Sequence, residues 1–148
     1  MLKLISSMDK LNTEQYLAVY GQSKQDSRAE EQMLSYLRED FFSIRGAVCA
    51  LWIADGRYVS ALRLEPYKDG YLITAVETAP QERRKGYAKS LLQAVINHFG
   101  GPVYSHIEKS NKPSINLHLT CGFAVCSDSA VLLDGTVTSR YCTVVYSK

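Results

Sequence analysis

Three strand-like runs rich in apolar residues follow one another along the middle of the chain, and Asp-Gly pairs separate them. The second run, residues 57–67, alternates between apolar and polar residues. The runs that this pattern predicts as strands are residues 47–54, 57–67 and 71–78. Asp55-Gly56 and Asp69-Gly70 lie between them, and such a pair predicts a tight hairpin because both central turn positions need positive φ. The pattern therefore predicts an antiparallel meander of three strands, in which Pro66 marks the end of the second.

Helical periodicity dominates the flanking regions. Apolar residues recur at helical spacing in predicted helices over residues 14–22, 28–42, 91–99 and 111–119. Asn12 or Thr13 offers an N-cap to the first helix, and Gly100 and Gly122 end the last two. Further strands are predicted at residues 2–5, 103–108, 123–126, 130–133 and 140–146. This mixture predicts an α+β fold whose central sheet is mixed but mostly antiparallel, in one domain over residues 1–148.

Composition and charge narrow the class of protein. The 148 residues are 46% hydrophobic and 22% charged, as in an ordinary globular protein, and no apolar run approaches the ~20 residues that span a bilayer. The net charge of +2 is too small to indicate a nucleic-acid partner. The N-terminal apolar segment is too short for a secretory signal, so we expect a soluble cytoplasmic protein without a membrane partner. The four cysteines form no C-x-x-C pair, and we therefore expect no metal site.

The most unusual local feature is a run of cations where the third predicted helix begins. Arg83, Arg84 and Lys85 precede Gly86, between a strand and an apolar helix. The N-terminus of a helix already carries partial positive charge, so added cations are unfavourable unless an anion binds there. A strand–loop–helix crossing with glycine at its hinge presents backbone N–H groups that bind phosphate. The alternative is a solvated basic turn.

Two motifs resemble those of the GNAT superfamily of N-acetyltransferases. Arg83-x-x-Gly86-x-Ala88 is similar to that family's R/Q-x-x-G-x-G/A acetyl-CoA motif, and Pro80 fits its lead-in. Downstream, the segment from Asn111 to Phe123 resembles the family's N-x-x-A-x-x-L-Y-x-x-x-G-F segment, with His118 at the tyrosine position. The order of predicted elements is also similar, so the resemblance covers nearly the whole chain.

The resemblance implies a fold, a co-substrate and a binding site. It implies three α/β/α layers, with the fourth and fifth strands splayed apart around the pantetheine arm of acetyl-CoA. It implies no metal. The loop and helix N-terminus would hold the diphosphate, the preceding strand end would pair with the pantetheine amides, and Tyr87 would pack along the cofactor. The implied cofactor-binding residues are Val76, Glu77, Thr78, Arg83, Arg84, Lys85, Gly86, Tyr87, Ala88, Lys89, Ser90 and Asn111.

The resemblance also implies direct attack of a neutral amine on the thioester, and candidate proton carriers follow from it. Glu77 would lie beside the thioester, and its backbone N–H or that of Thr78 would polarise the carbonyl. The alternative for Glu77 is a surface carboxylate paired with Arg83 or Arg84. His106 and Glu108 share one face of the next strand, because they are two residues apart, and either could take a proton from the amine. The alternative for His106 is a structural histidine held by a hydrogen bond.

His118 is the clearest departure from the family pattern. Many family members have a tyrosine there that protonates the leaving thiolate, and an imidazolium could do the same because its pKa lies near neutrality. The alternative is a histidine on the helix surface with no role. The predicted acceptor is a primary amine on a small molecule or peptide, and residues 13–45 and 130–146 would select it. Dimers are common in the family, so a homodimer is compatible with the resemblance.

Two other functions fit parts of the pattern. A module that binds acetyl-CoA without catalysis, as a sensor or partner subunit, fits the missing tyrosine. A basic-turn nucleic-acid-binding domain would need stacking aromatics beside the cations, and Tyr87 is the one that fits. The favoured prediction is acetyl-CoA-dependent acetylation of an amine.

Overall fold

The computed structural model describes residues 1–21 and 27–147. The end of the predicted first helix at Gln22, and residues 22–26 of the predicted acceptor-selecting region, lie outside the described residues. The helices are α1 (Thr13–Val19), α2 (Ser27–Ser35), α3 (Tyr87–Phe99) and α4 (Lys112–Thr120). Short 3₁₀ turns cover Met8–Lys10 and Pro80–Glu82, and α2 continues as a π-helix over Tyr36–Phe41.

The strands follow the predicted positions closely. They are β1 (Leu2–Ile5), β2 (Val48–Ala54), β3 (Arg57–Tyr67), β4 (Gly70–Thr78), β5 (Val103–Glu108), β6 (Ala124–Ser127), β7 (Ala130–Val131), β8 (Val137–Thr138) and β9 (Tyr141–Tyr146). One sheet has seven strands in the order β1-β2-β3-β4-β5-β9-β6, and β7 and β8 form a separate pair. All neighbours in the sheet are antiparallel except β4 and β5. The predicted α+β class with a mixed, mostly antiparallel sheet is confirmed.

Two apolar cores cover the two faces of the sheet, which confirms three layers. On one face, Leu91, Leu92, Val95 and Ile96 of α3 pack on Leu62 and Leu64 of β3 with their neighbours. On the other face, Tyr16 and Val19 of α1 and Phe41 of the π-helix pack on Cys49 and Leu51 of β2. Helix α4 contributes Ile115 and Leu117 to the first core, so α3 and α4 share one side of the sheet.

Pairing between β4 and β5 stops early. The parallel pairs join Tyr71–Ile73 to Val103–Ser105. Among the described residues, the rest of β4 does not pair with β5. The two strands therefore open around residues 74–78, in the middle of the sheet. The start of the pair is tight, because the Tyr71 N–H donates to the carbonyl oxygen of Pro102 at 3.1 Å.

The two hairpin predictions have different outcomes. Asp55 and Gly56 both have positive φ, at 52° and 75°, so the first turn is as predicted. In the second hairpin, the two-residue turn is Lys68-Asp69, and Gly70 is already the first residue of β4. Gly70 is needed for a different reason: a Cβ there would lie 1.9 Å from the carbonyl oxygen of Pro102. β3 ends at Tyr67, one residue after Pro66, in agreement with the predicted end of this strand.

The C-terminal region is the part of the fold that the pattern describes least well. The strand predicted over residues 130–133 is confined to Ala130–Val131, and it pairs with Val137–Thr138 outside the main sheet. Two residues are too few to show the alternation on which strand prediction depends. We call β7, β8 and the residues between them the ribbon. Within the described residues, no helix is long and apolar enough to cross a membrane.

Candidate functional site

The opening between β4 and β5 contains three adjoining cavities. The central cavity, about 270 Å³, is lined by Ile73, Thr74, Ala75, Val76, Ser105, His106, Ile107, Glu108, Asn111, Ser114, His118 and Tyr141. The loop-side cavity, about 290 Å³, is lined by Val76, Glu77, Thr78, Arg83, Ala88, Asn111, Pro113, Ser114 and Leu117. The ribbon-side cavity, about 490 Å³, is lined by Leu72, Ile73, Thr74, Ala75, His106, Leu132, Leu133, Asp134 and Tyr141. The central cavity shares lining residues with each of the other two, and we call the three together the passage.

A bulge in β4 shapes this passage. Arg63 pairs with Thr74 and Ala61 pairs with Glu77, so β4 has one more residue than β3 between these pairs. Ala75 has the left-handed φ of 56°, and the Tyr20 hydroxyl donates to its carbonyl oxygen at 2.7 Å. A bulge bends a strand and ends its pairing locally. It therefore accounts for the departure of β4 from β5.

The bulge also decides which backbone groups face the opening. The Ala79 N–H donates to the carbonyl oxygen of Val59 on β3 at 2.9 Å. Because successive residues of a strand direct their backbone groups to opposite sides, those of Glu77 face β3 and those of Thr78 face the opening. Of the two backbone donors predicted to polarise a carbonyl, the geometry thus favours Thr78. In this structure its N–H donates to the Glu77 carboxylate at 3.2 Å, a contact that a bound carbonyl would replace.

The backbone geometry of the cationic loop is compatible with anion binding. Arg84 and Gly86 both have left-handed φ, at 67° and 81°, and Gly86 is the N-cap of α3 without any side-chain cap. A Cβ at Gly86 would meet nothing within 4 Å, so the space in front of the helix N-terminus is open. The first N–H groups of a helix have no partners within the helix. Tyr87, Ala88 and Lys89 form that first turn, and the Ser90 N–H makes the first helical bond, to Gly86.

Arg83 and Lys85 of the cationic loop already pair with carboxylates, one weakly and one firmly. Arg83 is paired with Glu77 at 3.3 Å, and its Nε donates to the carbonyl oxygen of Thr78 at 3.3 Å. Both side chains of the Arg83–Glu77 pair are about half exposed, so this contact is weak and an anion can replace it. Lys85 is instead held at 2.8 Å by Glu82, a buried carboxylate that also accepts from Arg57. These hydrogen bonds from Lys85 and Arg57 hold the pKa of Glu82 below its usual value.

His106 lies on the side of β5 opposite to Val103 and Ile107, which belong to the α3 core. The Thr143 hydroxyl donates to the carbonyl oxygen of Ser129 at 2.8 Å, so it can only accept from His106 Nδ1, 3.0 Å away. Nδ1 therefore carries the hydrogen, and Nε2 has the lone pair. Burial lowers the pKa of His106, a backbone hydrogen bond at Val131 opposes this, and Lys68 lowers it further. The ring is thus neutral at neutral pH.

His118, on helix α4, is similar to His106 in two respects: its Nδ1 is hydrogen-bonded and its pKa is lowered by burial. It is 1% exposed, so it is not the surface residue that the sequence left open. Its Nδ1–H donates to the carbonyl oxygen of Ser114 at 2.7 Å, and its ring contacts the edge of Phe123. Burial lowers the pKa of His118, against the opposing effect of the Ser114 hydrogen bond. The Nε2 atoms of both histidines are buried without a hydrogen-bond partner in the described structure.

The remaining predicted site residues have structural partners. Glu108 shares the His106 face of β5 and accepts from Arg140 at 3.4 Å and from Ser110 at 3.2 Å. Asn111 is the N-cap of α4, where its Oδ1 accepts from the Ser114 N–H at 3.2 Å, and it lines both the central and the loop-side cavities. The cap uses only the Oδ1 atom, so a capping role and a ligand-binding role are compatible.

Several residues that line the cavities or contact their lining residues gave no signal in the sequence. Thr143 fixes the tautomer of His106 from 37 residues away, and Tyr141 lines the passage from β9. The segment Leu132–Asp134 closes the ribbon side, but the sequence pattern suggested only a strand and a turn there. Long-range neighbours of this kind cannot be read from local periodicity. Among the described residues, no cluster of His, Cys, Asp or Glu could hold a metal ion.

Comparison with known proteins identifies what this arrangement is similar to. A family model described as "Acetyltransferase (GNAT) family" matches residues 6–123. No curated protein matches the chain. A putative GNAT acetyltransferase from Bacteroides thetaiotaomicron superposes with a TM-score of 0.70 at 14% identity, covering 100% of this chain and 87% of that one.

Two further solved structures contain coenzyme. The N-acetyltransferase PseH of Campylobacter jejuni, in complex with acetyl coenzyme A, gives a TM-score of 0.69 at 12% identity, covering 100% of this chain and 99% of that one. The PaiA N-acetyltransferase of Thermoplasma acidophilum, in complex with coenzyme A, gives 0.65 at 12% identity, covering 100% and 99%. At these identities the likeness shows the fold alone.

Proposed function

The chain belongs to the GNAT acetyltransferase family, and on that premise we propose that it transfers the acetyl group of acetyl-CoA to a primary amine. The observation that carries the proposal is the passage, which joins an open helix N-terminus to a second cavity. His106 and His118 both line its central part. One substrate can enter from each side and meet at this point.

The residues present fit acetyl-CoA. The open space before Gly86, the unpartnered N–H groups of the first turn of α3, and the exposed Arg84 suit a diphosphate. Arg83 would exchange Glu77 for a phosphate oxygen, which is a charge-assisted bond of the stronger kind. Lys85 remains with Glu82 and fixes the loop, while its backbone contributes to the site. Acetyl-CoA, when bound, supplies the activated thioester carbonyl.

We assign the base to His106. The residue lines both the central and the ribbon-side cavities, its buried Nε2 carries a lone pair, and its lowered pKa favours the neutral ring. It takes a proton from the incoming ammonium, so that the amine nitrogen can form its bond to the carbonyl carbon. The Thr143 hydroxyl stabilises the resulting imidazolium by accepting from Nδ1.

We assign His118 the role of a proton relay and not that of a standing acid. With Nδ1–H bound to the Ser114 carbonyl and a lowered pKa, Nε2 must gain a proton before it can give one. As the C–N bond forms and the C–S bond breaks, the amine nitrogen loses its second proton and the sulfur gains one. His118 Nε2 transfers that proton. Glu77 pairs with Arg83 and Glu108 pairs with Arg140, and we assign both glutamates the role of positioning their arginine partners.

The test combines binding with turnover. Acetyl-CoA should raise the melting temperature, and free thiol should then be released in the presence of polyamines, aminoglycosides, amino acids or peptides with a free amine. A melting temperature that rises without thiol release from any amine would favour the non-catalytic sensor. A melting temperature that does not change would overturn both functions.

The cellular location and the oligomeric state complete the proposal. All four cysteines are free, which supports the proposed location in the reducing cytoplasm. The homodimer stays a prediction, and light scattering of the purified protein measures it.

A further inference from the structure

The ribbon-side cavity has mainly apolar walls. Leu72, Ile73 and Ala75 of β4 form one side, and Leu132 and Leu133 of the ribbon form the other. His106 lies where this cavity meets the central one. Given the proposed transferase function, on which this rests, we infer that the acceptor is a primary amine carried on an apolar chain or ring. Its hydrocarbon part occupies the ribbon-side cavity, and its nitrogen lies near His106.

The charges around the cavity support this acceptor over a polycation. Asp134 is the one carboxylate among the described residues that line the cavity, and its Oδ1 already accepts from the Thr136 N–H at 2.9 Å. Lys68 lies over the rings of Tyr67 and Tyr104, at 5.4 and 5.6 Å, and Tyr67 contacts the His106 ring. Asp69 accepts from the Tyr104 hydroxyl at 2.7 Å, so its charge is shared with that group. A second ammonium group would thus have one carboxylate of the cavity lining, Asp134, to compensate its charge, and near His106 it would meet the cation Lys68.

The exposed apolar side chains of the ribbon add to this support. Val131, Leu133 and Val137 are 43%, 57% and 65% exposed, and Val131 and Val137 are direct partners across the ribbon. Scattered exposed apolar residues need no explanation, but these are continuous with the cavity wall that Leu132 and Leu133 form. An apolar chain longer than the cavity would therefore still be covered as it leaves.

A series of substrates tests the inference directly. With acetyl-CoA saturating, thiol release is measured for linear alkylamines from ethylamine to octylamine. Each methylene that is buried should raise kcat/KM about fourfold, until the cavity is filled. Hexylamine and 1,6-diaminohexane form a matched pair of equal length that differs by one charge. We expect hexylamine to be preferred by about tenfold or more, and equal or better turnover of the diamine would overturn the inference.

A matched pair of variants tests the cavity wall. Leu133→Asp places a charge at the ribbon-side cavity, and Val125→Asp places one at a site of equal exposure, 56%, on β6. Leu133→Asp should lower the ratio of kcat/KM for hexylamine to that for ethylamine about tenfold, while Val125→Asp should leave this ratio at the wild-type value. The thermal shift with acetyl-CoA verifies that each variant is folded. The same ratio in both variants would overturn the assignment of this cavity.

The outcomes separate this inference from the proposed function. If polyamines or aminoglycosides are acetylated and alkylamines are not, the acceptor inference fails while the transferase function stands. If acetyl-CoA raises the melting temperature and no amine of either class releases thiol, the proposed function fails, and the acceptor inference fails with it.

Discussion

His106 and His118 line the same cavity and hold their protons in the same way. Each Nδ1–H donates to an oxygen, of Thr143 in one case and Ser114 in the other, and each Nε2 is buried without a partner in the described structure. Burial lowers the pKa of both rings. Two neutral imidazoles with available lone pairs can accept protons, but neither can start a reaction as an acid. This relationship determines the pH dependence.

The first prediction concerns pH. Because both pKa values lie below the ordinary 6.5, the active neutral forms are present above that value and are lost as the pH falls through the lowered pKa. We expect kcat, measured by thiol release from pH 5 to 8.5, to rise with pH and then stay level. His106→Gln should reduce kcat by about 10²-fold or more. His98→Gln, at an exposed histidine of α3, is the control and should keep the wild-type profile. A maximum below pH 6.5 would show that His118 acts as a standing acid.

The second prediction concerns His118 alone. His118→Phe keeps a planar ring beside Phe123 but removes Nε2, so the proton relay is lost while the coenzyme contacts remain. We expect kcat to fall about 10²-fold or more, with the Kd of acetyl-CoA within about twofold of the wild-type value. Single-turnover kinetics and calorimetry measure the two quantities. If kcat is unaffected, His118 has no part in the chemistry.

The third prediction concerns the loop. In the double variant Arg83→Ala, Gly86→Glu, a cation is lost and a carboxylate enters the open space before α3. Acetyl-CoA at 100 times its Kd should stabilise the wild type by about 2.7 kcal/mol, or roughly 5–10 °C in Tm, and this shift should disappear in the variant.

Gly135→Glu is the control for the loop variant. Gly135 also has a positive φ, of 88°, and open space around it, but it lies in the ribbon. The substitution therefore imposes the same backbone strain and adds the same charge away from the loop. We expect the full coenzyme shift in this variant. A full shift in the double variant as well would show that the diphosphate binds elsewhere.

The fourth prediction concerns the closed end of the opening. A Cβ at Gly70 would lie 1.9 Å from the Pro102 carbonyl oxygen, so Gly70→Ala must separate β4 from β5 where they still pair. We expect a loss of about 1–3 kcal/mol in the free energy of unfolding. Urea denaturation measures it. Gly101→Ala is the matched control, since its Cβ would meet only the Phe99 carbonyl oxygen, at 3.9 Å. Equal stability of the two variants would contradict the role given to Gly70.

The sequence predicts the fold well where local chemistry decides it. The Asp55-Gly56 turn, the ends of β1 and β5, and the capping of α1 by Asn12 all follow from short-range rules. Gly70 shows the limit of such rules. Its position after Asp69 suggested a turn, whereas the structure requires a glycine there because of Pro102, a distant residue.

The site is predictable to a similar extent. A glycine after three cations indicates an anion site, because that chemistry is contained in a few consecutive residues. The role of His118 is different. Its neutral state depends on burial and on the Ser114 carbonyl, neither of which the residue type reveals. Likewise, nothing in the strand-like run of β4 indicates that Ala75 is an extra residue.

That extra residue has an evolutionary consequence. If Ala75 were deleted, Val76 would take the place opposite Leu62, and the later pairs of β4 with β3 would keep their partners. The strand would then run straight, and its pairing with β5 could continue past Ser105. A bulge has no half-sized form, so insertion or deletion of one codon would create or remove this opening in a single step.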